Sequence, residues 1–543
     1  MLRISHMLAF AALAVAPLFL GGCLKKYDPD KLAGGVWNPN LAVPIAYSRF
    51  DVYDILDRAE ENDLVVIDPM TGLLALRYEG QAFSFSASEV LQLPDFAYSN
   101  SFSGGLDFGF PVFPSFNGQM SESVSESIDY ETENGEGLYD ILLAGGQLNI
   151  DVSTDLQHDV ALQLEFPYIT VNGAPLVIDV NLPFTGGTSS SSAQTNLTNA
   201  FIDFTDGGTT TNAIAVNITA TLNGTGNPIV GTENIDVDLS LNGLSFALAR
   251  GYVGQQTVAL DGDSILIAIF QNSIEGYFEL VNPRLQLRVM NSFGFPVALD
   301  VTQLQTVNTS NGMVYPLTGY PNPTLIGAPL LPGDSMITTL EFNSQNTSNI
   351  SNIITPVPKY LHFAVEGGSN PNGEADAPNF IAANSQLRVD ATLEMPLQGF
   401  AYGFVVRDTL EFTFDEDIEE VDWVMIRLYA KNGFPVDLSG QLYLADANYT
   451  LIDTLITAEQ QVLQAGLTNA SGKVVNPTEK TTDIFIPRER IDNLLDAAYL
   501  IFVAETNTLN GSNSQVVGIY DSNFLELRLG LQVQGRINVS SGS

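Results

Sequence analysis

The chain has 543 residues, of which 62 are acidic and 21 are Lys or Arg, and a formal net charge of −41 sets it against nucleic acid and other polyanions as partners. Hydrophobic residues make up 45% and aromatics 10%, which is enough for packed cores and excludes a disordered chain. One cysteine, Cys23, excludes disulfide-dependent domains, so stability must come from packing.

The first element is a leader. Arg3 precedes an uncharged run from Met7 to Leu20, then Gly21 and Gly22, which is the n-region and h-region of a signal peptide and is short for a membrane span. Residues 1–22 are expected to be removed, leaving 20 basic against 62 acidic residues. Leu20-Gly21-Gly22-Cys23 resembles the bacterial lipobox, in which small residues fit a lipoprotein signal peptidase and the thiol takes a diacylglycerol. The resemblance implies that Cys23 is the mature N-terminus and the lipid attachment site, palmitate included, with acyl chains sufficient for stable anchoring. Leu24 is not the aspartate of inner-membrane retention, which favours the outer membrane. Lys25 and Lys26 depart from the acidic cluster of surface-exported lipoproteins, so the periplasmic and cell-surface faces both stay open.

Residues 23–45 read as a lipidated tether leading into "VWNPNLAVPIAY". Beyond it, alternating runs such as Leu148–Val152, Ile214–Leu222, Leu285–Val289, Gln386–Leu393 and Leu525–Val533 recur between Gly, Asn, Asp and Pro. That pattern predicts an all-β fold of tandem antiparallel β-sandwich domains. Helical spacing is confined to Val52, Ile55, Leu56 and Ala59 after Asp51, and to Ile491, Leu494, Leu495 and Ala498 after Pro487, read as short peripheral helices. Residues 115–137 and 185–212 read as long polar loops.

An internal repeat organises the chain. Residues 145–167, 282–304 and 421–444 each read as strand, tight turn, strand, with Gly294-Phe295-Pro296-Val297 matching Gly433-Phe434-Pro435-Val436 and the first copy keeping Val160 alone. The valines are 137 and 139 residues apart, close to a domain length. The expected division is 46–245 for an N-terminal β region with the first sandwich, 246–400 for the second and 401–543 for the third. Gly433 is expected at positive φ, and Pro296 and Pro435 at strand starts.

The quoted tether, "LVVIDPMTGLLALRYEGQAFSF" and "IRLYAKNGFPVDLSGQLYLAD" resemble a family of Bacteroidota outer-membrane lipoproteins with no assigned activity. The strand, N-x-x-x-P-like turn and second strand are similar to the LEA-type sandwich. Neither resemblance implies an active site.

Chemistry is sparse. His158 reads as a solvated turn residue and His362 as a strand residue, with no ligand spacing for zinc and no triad pattern. "LDGDS" (260–264) and "FDEDIEEVD" (414–422) could offer carboxylates to calcium but read better as a turn and a solvated charge run. Trp37 and Trp423 could stack on a sugar, although Trp423 aligns with the core side of its repeat. No cofactor, metal or catalytic residue is nominated. The expectation is a non-catalytic, outer-membrane-anchored lipoprotein, held to the membrane through its lipid and acting as a structural or protein-interaction module with envelope partners. The alternative is a glycan-binding or glycan-cleaving surface lipoprotein.

Overall fold

Alternation becomes strand throughout. The computed structural model describes residues 35–52, 65–259, 262–267, 273–308, 311–346, 349–355, 358–411, 420–457 and 460–539, and it is 62% strand and 5% helix. The leader, Cys23 and the expected helix over Val52–Ala59 from residue 53 on lie outside the described residues.

From the N-terminus the chain forms β1 (Gly35–Trp37), β2 (Asn40–Asp51), β3 (Val65–Ile67), β4 (Leu74–Ser86), a one-turn helix (Ala87–Val90) and β5 (Phe96–Ser103). Then come β6 (Gln119–Asp129), β7 (Gly137–Thr154), β8 (Asp159–Val171), β9 (Ala174–Leu182), β10 (Ser189–Asn196), β11 (Ala200–Asp203), β12 (Ala213–Asn223) and β13 (Asn234–Tyr252). They are followed by β14 (Thr257–Ala259), β15 (Asp263–Leu266), β16 (Ser273–Leu280), β17 (Arg284–Asn291), β18 (Val297–Val307), β19 (Val314–Pro316), β20 (Thr324–Ile326), β21 (Met336–Phe342), a helix (Ile350–Ile354), β22 (Tyr360–Ser369), β23 (Asn379–Ala382) and β24 (Gln386–Pro396). The last set is β25 (Gln398–Glu411), β26 (Val421–Asn432), β27 (Val436–Ala445), β28 (Leu451–Ile456), β29 (Gln461–Leu463), β30 (Leu467–Thr468), β31 (Val474–Asn476), β32 (Thr478–Pro487), a helix (Arg488–Leu495), β33 (Tyr499–Thr508), β34 (Val517–Gly518), β35 (Phe524–Gly535) and β36 (Ile537–Val539).

Pairing sorts these strands into three sandwiches of one design. In the first, the order β10-β7-β13-β5 faces β6-β12-β8-β9, with β11 bridging β7 and β8. In the second, β21-β17-β24-β4 faces a sheet in which β22 and β18 are central. In the third, β32-β26-β35-β2 faces β25-β33-β27-β28. Each first sheet is completed by a strand from the N-terminal segment, in reverse order: β2 pairs β35 in the third sandwich, β4, itself flanked by the short β3, pairs β24 in the second, and β5 pairs β13 in the first. Pairing thus crosses the chain-order divisions at 46–245, 246–400 and 401–543, because alternation in a strand says nothing about where its partner lies. The second half of β13 pairs β23 and joins the first two sandwiches, β16 on β25 joins the last two, and β1 pairs β36 beside the third.

The repeated segments occupy equivalent positions in the three sandwiches but are not hairpins. β17 and β18 lie in different sheets, as do β26 and β27, and each turn carries the chain across the sandwich. A buried asparagine holds the crossing. Asn432 Nδ2 donates to the carbonyls of Val436 (2.7 Å) and Gln464 (2.9 Å), and its Oδ1 accepts from Phe434 N (2.9 Å). Asn291 does the same with Phe295 O (3.0 Å), Gly327 O (2.9 Å) and Phe293 N (2.9 Å). In the first sandwich Thr154 Oγ1 accepts from Leu156 N at 3.2 Å and donates to Asn234 O at 2.7 Å. These residues align the copies, with intervals of 137 and 141 residues. The two Gly-Phe-Pro-Val matches are therefore offset by two positions in the structure.

Neither glycine of those matches has positive φ. Gly294 is required because a Cβ would stand 2.2 Å from the Phe380 ring, and Gly433 because a Cβ would meet Phe524 O at 3.0 Å. Pro296 and Pro435 stand immediately before β18 and β27, near the expected strand starts. The segments read as polar loops contain β6, β10 and β11. Their outward serines bond across strands, as in Ser121–Thr221 (2.7 Å) and Ser123–Thr219 (2.8 Å), while Met120, Val124 and Ile128 turn inward, so a few apolar residues suffice for an edge strand. The expected C-terminal helix is present over Arg488–Leu495 after Pro487 and buries Ile491.

Asn432→Ala would remove three hydrogen bonds from a site 2% exposed, leaving the Gln464 carbonyl only its bond from the Thr478 hydroxyl, and should destabilise the third sandwich by about 2–4 kcal/mol. Urea unfolding followed by tryptophan fluorescence reads it directly, since Trp37 and Trp423 lie in β1 and β26; an unchanged midpoint would contradict the clamp.

Candidate functional site

The outer face of the β32-β26-β35-β2 sheet carries the densest chemistry. Trp423, Met425, Arg427, Tyr429 and Lys431 alternate outward on β26, opposite Ala430 and Asn432, which are buried. The Arg528 guanidinium lies between two rings in adjacent strands, 5.6 Å from the Tyr47 centroid and 5.3 Å from that of Tyr429. Arg427 holds Asp483 through two parallel 2.7 Å bonds, Lys431 meets Glu479 at 3.2 Å, and Arg528 meets Glu526 at 2.6 Å. Bonding to Arg427 lowers the Asp483 pKa, and bonding to Lys431 and Tyr429 lowers that of Glu479. Further along the face, Trp423 and Phe485 rings stand 5.5 Å apart, with Phe485 51% exposed.

Gly530 lines an open groove of about 390 Å³ in this face, together with Pro44, Tyr47, Arg427, Tyr429 and Arg528. A Cβ on Gly530 would find only Val43 O, at 3.9 Å, so the missing side chain opens the groove without being demanded by the backbone. Trp423 belongs to this outer face and not to the core side, which corrects the sequence alignment: the two-residue offset of the repeats had no bearing on parity, and the inward rows are those of Ala430 and Asn432.

The sister sandwiches act as internal controls. Counting from the clamp residue, the position of Tyr429 is Arg288 in the second sandwich and Asp151 in the first. By strand register, Tyr47 corresponds to Gln81 and Ser99, Phe485 to Asn343 and Asn196, and Gly530 to Thr392 and Ser240. The second sandwich fills its face with a salt lattice in which Arg288 and Arg388 flank Asp390. The fold therefore does not need aromatics or a glycine at these positions.

Of the calcium candidates, residues 260–261 and 414–419 lie outside the described residues. Among the described residues no group of three or more His, Cys, Asp or Glu is placed to hold a metal ion. His362 is in β22, as expected of a strand, and stands in a different sandwich from His158.

No family model matches the chain, and none of the curated proteins searched is similar to it. Among solved structures it is similar to a protein of Parabacteroides distasonis described as secreted, at 14% identity over 54% of this chain and 90% of that one, with a TM-score of 0.28. The naturally empty particle of cowpea mosaic virus matches at 8% identity over 53% and 92%, TM-score 0.12. A T=1 particle derived from infectious bursal virus matches at 11% over 73% and 72%, TM-score 0.13. Likeness this slight carries no functional argument.

His158 is not a solvated turn residue: it is fully buried at the position of Phe295, edge-on to Phe116 at 5.6 Å. Its Nδ1 accepts from Thr225 N at 3.2 Å, and the Pro228 carbonyl also faces the ring. The Thr225 hydroxyl donates to Gln157 O at 2.6 Å, so this Thr–His pair is enclosed and occupied. Burial lowers the His158 pKa below 6.5, with Glu233 and Asp159 pulling the other way. The unfolded chain binds this proton more readily, so the contribution to stability is complete above about pH 6.5 and falls away below it. Thermal melts between pH 7.5 and 5 should lose up to about 1.4 kcal/mol per pH unit to this group. His158→Phe should flatten the profile by that amount; an identical slope in the variant would contradict the assignment.

Proposed function

We propose that this is a non-catalytic lipoprotein, anchored to the outer membrane through Cys23, that acts as an interaction module of the cell envelope. The observation that carries the reading is the threading. The segment leading from Cys23 enters at β1 and β2, beside β36 and in the third sandwich, while strand pairing among the described residues joins the first sandwich to the second and the second to the third. A lipid at Cys23 then holds the third sandwich nearest the membrane and the first farthest away.

Charge supports that orientation. No lysine or arginine occurs between Arg77 and Arg250, and Arg250, near the end of β13, is paired with Asp140, so the first sandwich is strongly negative and is repelled by an anionic surface. Arg427, Lys431 and Arg528 lie instead in the third sandwich, on the face that holds the groove, each paired with a carboxylate, so that face is not repelled as the first sandwich is. None of the helices among the described residues is long and apolar enough to cross a membrane.

Cys23→Ser should abolish incorporation of a clickable fatty acid and release the protein from outer-membrane fractions. An unlabelled wild-type protein would contradict the anchor.

A further inference from the structure

We propose that the groove over Gly530 binds a neutral polysaccharide chain, with Tyr429 and Tyr47 stacking on the sugar rings. This rests on the reading of the protein as a binding module and names its ligand class. Three observations support it. The first is charge balance: Arg427, Arg528 and Lys431 each carry a carboxylate partner within 3.2 Å, so the face offers many donors and acceptors without a surplus cation seeking phosphate or sulfate. A ligand suited to such a lattice is rich in hydroxyls and nearly uncharged.

The second is shape. Tyr47 is 61% exposed, and the Arg528 guanidinium between them holds Tyr47 and Tyr429 in one row across the sheet, both lining the open trough. Sugar rings present apolar C–H faces to aromatics and hydroxyls at their edges, matching rings that alternate with charge pairs. From Trp423 to Tyr429 the strand rises about 3.3 Å per residue, or roughly 20 Å in all, which suits several sugar units in a row rather than one. The third is the comparison within the chain. Both sister sandwiches build the same sheet with Arg288 or Asp151 for Tyr429 and Thr392 or Ser240 for Gly530, so the groove is an addition to the fold.

Affinity electrophoresis of the mature full chain tests this, using gels containing xyloglucan, mixed-linkage β-glucan, galactomannan or soluble starch, with alginate as the anionic polymer. Retardation is expected in at least one neutral gel and not in alginate. Tyr429→Arg and Gly530→Thr, which install the residues of the second sandwich, should each weaken it at least tenfold, whereas Arg288→Ala should leave it unchanged. Circular dichroism and melting temperature identify any variant that fails to fold, and Tyr47→Ala, at an exposed edge strand, then serves in its place. Retardation in no neutral gel, or retardation indifferent to the groove variants, overturns the proposal while the anchored-module reading stands. Release of reducing sugar from a retarding polymer would leave the groove assignment intact and overturn the non-catalytic reading.

Discussion

Late strands in this molecule are completed by early ones, and the architecture depends on that backbone pairing. β35 would expose an unpaired edge until β2 docks on it, β24 until β4 docks, and β13 until β5 docks. The N-terminal segment thus runs along the third, second and first sandwiches, and the rest of the chain returns through them in the opposite order. Both described ends meet at β1 and β36. The closing contacts of the third sandwich span almost the whole chain, so loop-closure entropy makes it the last to form and the first sandwich the most local. The same arrangement puts the tether, the charge-paired face and the groove in one sandwich and the strongly acidic sandwich at the far end of the series.

Inside each sandwich a polar residue solves the problem of crossing between sheets. A hairpin would satisfy its turn through the ladder of two paired strands, but a crossing has no such ladder. Asn432 and Asn291 supply the missing bonds from a side chain, and Thr154 does so with fewer. The buried amides are fully engaged, the condition under which a polar group in a core is not a liability. His158 and Phe295, four residues beyond the clamp, show that the pocket beneath the crossing tolerates different rings.

Period-2 alternation made the all-β class and the repeat legible, because it reflects one buried and one exposed face in every strand. It could not tell a hairpin from a crossing, since both read as strand, turn, strand. The Gly-Phe-Pro-Val match drew the alignment two residues from the structural one, and the quieter Asn291 and Asn432 were the better markers. Serine-rich β6 and β10 looked like loops because an edge strand needs few inward residues and its outward row was wholly polar. The groove went unread for a related reason: Trp423, Tyr429 and Tyr47 are ordinary strand residues until the clamp alignment shows that neither sister copy has an aromatic there. What the groove does belongs to these side chains and not to the sandwich that carries them.

Cysteine trapping distinguishes reverse-order pairing of the N-terminal strands from pairing in chain order. In a Cys23→Ser background, the cross-strand positions Arg49 and Glu526, Ser84 and Arg388, and Ser101 and Asp236 are equivalent sites in the three sandwiches. Each pair changed to cysteine should close on mild oxidation into a bridge visible as a mobility shift on a denaturing gel, because cross-strand partners stand within disulfide reach. Mixed pairs, such as Arg49→Cys with Asp236→Cys, should stay reduced. Closure of the mixed pair, with the Arg49 and Glu526 pair remaining open, would mean that the first strand completes the first sandwich and would contradict the account.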